Sequence, residues 1–261
     1  MRLSLKNGPP DDEAPYPFSV PQIRTLPLID VNVPVTFFVG ENGAGKSTLL
    51  EGIASAAELP AMGGSRDLAL DPTLAHARQL GSALRLAWTR RSRQGFFLRA
   101  EDFFGRLKSL ARDDARSLRE SSEAAAGIRA DIVQTRSVDA NHPDERAVGT
   151  FLRRYDSRSH GESFMDIFTQ RIRPGGLYLL DEPEAPLSPR RQIAFLDVLT
   201  QASKAGAQFI IATHSPILLA CPSARIYSFD ETPIAKVAYE ELEHVVVTRD
   251  FLNDPSRFID R

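Results

Sequence analysis

The sequence predicts an α/β domain, a mixed sheet flanked by helices, with a helical sub-domain inserted at 101–172. Three observations predict it. Short apolar runs at 35–39, 177–180 and 209–212 have the length of buried strands, and each ends at a glycine-rich or polar turn. Helix-patterned segments follow these runs, so strand and helix alternate at both ends of the chain. Between the two ends, 101–134 is rich in Ala, Leu, Arg and Glu and has no proline, a helical composition.

In chain order, 7–34 carries many prolines and reads as extended segments and short strands. The β-branched and aromatic run 35–39 is a buried strand that feeds a glycine-rich turn at 40–45 and a helix over 46–57. Residues 60–80 read as irregular structure with a short helix. Segments 83–89 and 95–99 read as two strands joined by the basic turn 90–94. Further helices are expected at 151–155 and 163–173, the second stopped by Gly175 and Gly176. A strand at 177–180 ends at Asp181, an amphipathic helix covers 189–205, and a strand at 209–212 ends at Thr213 and His214. Late strands at 224–230 and 234–239 precede a helical tail from 240.

Composition bounds the classes of function. The chain has 261 residues, 42% hydrophobic and 25% charged, which suits one folded domain carrying an insertion. The net charge of -2 gives no global excess that points to nucleic acid or to a disordered acidic chain. The single cysteine, Cys221, excludes an intramolecular disulfide and a cysteine zinc cluster, and reads as a small buried apolar residue. With no leader-like apolar stretch in 1–30 and no run approaching the roughly 20 apolar residues of a membrane span, the expectation is a cytoplasmic chain without direct membrane insertion.

Residues 40–47 read GENGAGKS and fit the phosphate-binding pattern G-x-x-x-x-G-K-[ST]. Gly40, Gly43 and Gly45 let the backbone turn successive N–H groups, those of Glu41, Asn42 and Ala44 among them, toward phosphate oxygens. The helix that follows adds its positive end. Lys46 reaches the β- and γ-phosphates, the Ser47 hydroxyl ligates Mg²⁺, and Thr48 caps toward the α-phosphate. The string follows a strand and opens a helix, as the loop requires. Residues 177–184, LYLLDEPE, place two carboxylates at the C-terminal end of an apolar strand, where ligands of open α/β sheets bind. Asp181 holds Mg²⁺ in this reading, and Glu182 polarises the attacking water.

The order GENGAGKS, SHGES, LYLLDEPE, ATHS resembles the ATP-binding-cassette ATPase superfamily, from about residue 16 onward. The strings GFFLRAEDFF and SHGESF resemble in particular the small bacterial ABC-type ATPases of the AAA family, relatives of the chromosome-maintenance and recombination ATPases. The resemblance implies ATP and Mg²⁺ as cofactors. It implies a head-to-tail homodimer in which the signature of one protomer, here Ser159, Gly161 and Glu162, grips the γ-phosphate held by the other. His160 stands where the family usually has glycine. Read from the residues alone, Ser159 and Glu162 have the spacing of a capping box. The resemblance further makes His214 the switch histidine at the γ-phosphate and places Leu187 and Ser188 at the dimer interface. Two readings stand for Glu101: a metal-side group in place of the family's glutamine, or the acidic start of a helix. Two also stand for Tyr16 and Phe18, adenine platform or core.

About 110 residues separate Ser47 from Ser159, too few for the coiled-coil arms of the larger relatives. Residues 85–136 hold twelve Lys/Arg against seven Asp/Glu, which suits either contact with nucleic acid or a solvated helical face. The expected activity is ATP hydrolysis coupled to an unspecified task, with nucleic acid or a partner protein as the object. The alternatives are an energy-coupling subunit of an ABC transporter and an ATP-gated switch with slow hydrolysis.

Overall fold

The computed structural model describes residues 1–62, 75–89, 91–92, 94–100 and 160–259, the side chains at 160–163 and 167 excepted. Its centre is a seven-stranded sheet. Strand β3 (Val35–Val39) lies between β9 (Arg225–Ser228) and β8 (Gln208–Ala212). From β8 the sheet continues through β7 (Leu177–Asp181) and β6 (Gly95–Arg99) to β4 (Ala61–Met62). All these neighbours pair in parallel, and β10 (Ala235–Val237) closes the other edge antiparallel to β9. Parallel strands need both faces covered, which is why 177–180 is wholly apolar and 35–39 is apolar but for Thr36.

The pleat divides the strand residues between two cores. Phe38, Phe97, Leu177, Leu179 and Ile210 enter one, together with Leu49, Leu50 and Ile53 of helix α2 (Lys46–Ala56). Phe37, Phe96, Tyr178, Leu180, Phe209 and Ile211 enter the other. There they meet Phe164 and Phe168 of α4 (His160–Arg171) and Phe195 and Leu199 of α5 (Pro189–Lys204). Each such side chain contributes about 1.5–3 kcal/mol on full burial. Cys221 is buried in this second core as a free thiol.

A second sheet, in the order β2-β1-β5, joins β1 (Arg2–Leu5), β2 (Ile29–Asp30) and β5 (Leu84–Ala87), all antiparallel. The two strands expected at 83–89 and 95–99 are both present, as β5 and β6, and belong to different sheets. Strand β5 is claimed by the N-terminal β1, with Leu3 opposite Leu86, while β6 enters the large sheet beside β7. The short helices α1 (Pro21–Arg24) and α3 (Ala75–Ala83) complete this side, and Leu80 of α3 is fully buried beside α2. After β8 come α6 (Pro216–Leu219), β9, β10, α7 (Glu243–Asn253) and α8 (Ser256–Ile259), in accord with the expected helical tail. The helix expected from 163 begins at His160 and ends at Arg171. The helices expected at 151–155 and through most of 101–159 lie outside the described residues. Among the described residues no helix is long and apolar enough to cross a membrane.

Candidate nucleotide-binding site

The loop between β3 and α2 is set by its glycines. Gly40, Gly43 and Gly45 sit at φ +140°, +85° and +94°, conformations that cost other residues about 1 kcal/mol or more. At Gly45 a Cβ would also come within 2.9 Å of Val20 Cγ1. The loop delivers the chain into α2 at Lys46. Lys46 is buried, and its Nζ donates to the carbonyls of Gly40 at 2.5 Å and Glu41 at 2.9 Å. Burial pushes its pKa down, against the opposing pull of Glu182 and Asp181.

Across from the loop stands the end of β7. The Ser47 hydroxyl donates to Asp181 Oδ1 at 3.0 Å, so the two expected magnesium ligands meet although 134 residues separate them. Asp181 is buried, and desolvation pushes its pKa up while Arg99 and the Ser47 hydrogen bond pull it down. A small oxygen-ligated cation held by one hydroxyl, one carboxylate, phosphates and water fits this pair. Glu182 is half-buried, and its N–H donates to Ala212 O at 2.9 Å. It holds φ +51°, a left-handed conformation unusual for a non-glycine residue and typical of residues at which a site stores strain. Its charge acts on Lys46, Asp181, Glu184 and His214.

His214 follows β8, and its backbone N–H donates to Glu184 Oε1 at 2.8 Å. Its Nε2 is buried with no hydrogen-bond partner among the described residues. Burial and the nearby Lys46 charge push its pKa down, so the ring is neutral at physiological pH. Gln192 of α5 ties the same corner together. Its amide donates to Leu187 O at 3.0 Å, and its carbonyl accepts the Ser215 hydroxyl at 2.5 Å. Leu187 is buried in the second core and Ser188 is exposed at the start of α5.

Lys46, Ser47, Asp181, Glu182 and His214 therefore come together at the C-terminal ends of β3, β7 and β8. Thr48 is bound at the helix start, where its Oγ1 lies 3.1 Å from the Tyr16 hydroxyl. Tyr16 is exposed and meets His76 edge-on, with ring centroids 4.7 Å apart, whereas Phe18 packs against the first core. Gly161 and Glu162 lie in the first turn of α4, while Ser159 and Glu101 lie outside the described residues.

Four residues were not read from the sequence. Arg99, at the end of β6, donates through Nε to Asp181 Oδ2 at 3.4 Å and pairs with Glu51 of α2. Asp230, after β9, accepts the Glu41 N–H at 2.8 Å and braces the loop. Glu184 holds the backbone of His214. Glu51 carried a local signal, one helical turn after Ser47 on the same face, while Glu184 and Arg99 stood inside the strings LYLLDEPE and GFFLRAEDFF with no role read for them.

The sequence profile of the family described as "AAA domain, putative AbiEii toxin, Type IV TA system" matches residues 164–220, which span α4, β7, α5, β8 and α6. No curated protein sequence matches the chain. Among solved structures, a metal-chelate-type ABC transporter in an inward-facing conformation aligns at 15% identity and TM-score 0.46, over 94% of this chain and 87% of that one. The cbiO1 protein of Clostridium perfringens, part of the ABC transporter complex cbiONQ, aligns at 16% identity and TM-score 0.42, over 88% of each chain. The SMC head domain of Thermotoga maritima aligns at 18% identity and TM-score 0.38, over 90% of this chain and 97% of that one. The phosphate-binding loop and the acidic strand end that faces it thus stand beside a partial match to an AAA-domain family.

Proposed function

We propose that the chain is a Mg²⁺-dependent ATPase that binds ATP on the loop 40–47 and hydrolyses it with Glu182. The observation that carries this reading is the 3.0 Å contact of Ser47 with Asp181, beside the buried Lys46 and the strained Glu182. Lys46 exchanges its contacts with Gly40 and Glu41 carbonyls for phosphate oxygens. Ser47 and Asp181 hold the magnesium ion, which when bound neutralises charge on the β- and γ-phosphates. Glu182 orients a water and takes its proton, and His214, whose Nε2 is buried and neutral, faces the same charges. Tyr16, exposed beside Thr48, is the platform for the base, and Phe18 belongs to the core.

By resemblance, Ser159, Gly161 and Glu162 of one protomer complete the site of another, so ATP assembles a head-to-tail dimer. Glu101 remains a second candidate on the metal side. The test is Glu182→Gln. Phosphate release should fall by about 10²–10⁴-fold while ATP binding persists. With Mg²⁺ and ATP the variant should accumulate as a dimer in size-exclusion chromatography with light scattering. Turnover equal to wild type would remove Glu182 from the role of base.

A further inference from the structure

We propose that Arg99 is a positioning residue for Asp181, and that Glu51 holds Arg99 in place and offsets its charge beside a divalent cation. The inference rests on the Mg²⁺-ATP reading given above. Strands β6 and β7 run parallel in a register that sets Arg99 directly beside Asp181. On α2, Ser47 and Glu51 stand one turn apart on one face. Three segments distant in sequence thus converge on a single carboxylate. Asp181 Oδ1 accepts the Ser47 hydroxyl at 3.0 Å and Oδ2 faces Arg99 Nε at 3.4 Å. The far end of the guanidinium is in direct contact with Glu51 Oε1. The side chains of Asp181, Glu51 and Arg99 are 5%, 12% and 28% exposed, so water screens this cluster weakly.

The arrangement divides the work of the two carboxylate oxygens. Oδ1 stays on the Ser47 side, where the ion is to bind, and Oδ2 is fixed from behind. Outer partners that hydrogen-bond a ligating carboxylate fix its orientation and strengthen its hold on the ion. A guanidinium alone in that position would repel an arriving cation. Glu51 cancels that charge and draws the guanidinium to itself, so Arg99 orients Asp181 without neutralising it. Removing one member of such a half-buried pair leaves the other charge uncompensated.

The experiment measures binding of a fluorescent ADP, in excess Mg²⁺ and again in EDTA, which needs no turnover. For folded wild type the ratio of the two dissociation constants defines the magnesium enhancement. Arg99→Gln should lower that enhancement by about tenfold or more, in line with the loss of an outer-shell partner, and leave the EDTA affinity unchanged. Arg99→Lys should keep part of it and gives a conservative variant should the glutamine fail to fold. Glu51→Gln should also lower the enhancement, because the released guanidinium competes with the ion for Asp181. The double variant should then lose no more than Arg99→Gln alone, a non-additivity that independent packing defects do not produce. An unchanged enhancement in Arg99→Gln overturns the inference and leaves the ATPase reading intact. So does an equal loss with and without Mg²⁺, which would make Arg99 a phosphate ligand or a packing residue. Wild-type protein that binds no nucleotide under either condition takes down both.

Discussion

Glu184 shows how one carboxylate can serve the site at a cost to the fold. Its Oε1 accepts the His214 N–H at 2.8 Å, and its Oε2 is buried without a hydrogen-bond partner among the described residues. Burial pushes its pKa up, against the Thr213 hydroxyl and the His214 amide. An acid whose folded pKa lies above its unfolded value holds its proton more tightly in the folded chain. Its contribution is therefore complete below its ordinary pKa of 4.5 and is lost as pH rises through the folded value. Glu184→Gln keeps an acceptor for His214 and removes the buried charge. At pH 8 the variant should melt above wild type by about 2–4 °C, the shift that 1 kcal/mol gives a domain of this size. The gain should shrink toward zero as the pH approaches 4.5. A variant that melts below wild type at pH 8 would mean that the charge stabilises the corner it occupies.

At the scale of elements, the unit from β3 through the loop to α2 was legible because its causes are local. Glycines at 40, 43 and 45 and an apolar strand before them leave one geometry open. The brace on that unit was not legible. Asp230 follows β9, which pairs with β3, and its Oδ1 reaches the Glu41 N–H while Oδ2 accepts from Ser228 Oγ at 2.9 Å. Nothing near Asp230 in sequence marks it, since only the β3–β9 pairing brings it to the loop. The same reason hid Arg99 and the partner of β5, since β1 lies some 80 residues away. Asp230→Ala removes a charge-assisted hydrogen bond worth about 1.5–3 kcal/mol and frees the loop's first amide. The variant should lose thermal stability and bind ATP more weakly, and Asp230→Asn, which retains an acceptor, should keep most of both. Equal losses in the two variants would assign the effect to the charge of Asp230 and not to its bond.

Across the whole molecule, the C-terminal segment is tied electrostatically to the site at the ends of β3 and β8. His244 of α7 feels His214, Asp230 and Lys46, and its Nε2 is buried without a partner among the described residues. Desolvation is the first cause that pushes both His214 and His244 below the ordinary value of 6.5. For a histidine so shifted, the unfolded chain takes up the proton first, so stability is intact above 6.5 and falls as pH drops below it. The buried carboxylates Asp181 and Glu184 work in the opposite sense, gaining stability on acidification. The net profile of one protein therefore cannot separate the two groups, but the difference between two proteins can. His244→Gln removes one histidine and touches neither carboxylate. Its melting temperature should fall less steeply than that of wild type between pH 7.5 and 5.5, whatever its value at the upper end. Nucleotide gives an independent check. A bound triphosphate sets negative charge beside His214 and favours its protonation, so the stabilisation by ATP should grow as pH falls through this window. Parallel melting curves for the two proteins would place His244 outside the titrating set. Nucleotide protection that is flat from 7.5 to 5.5 would place His214 away from the phosphates.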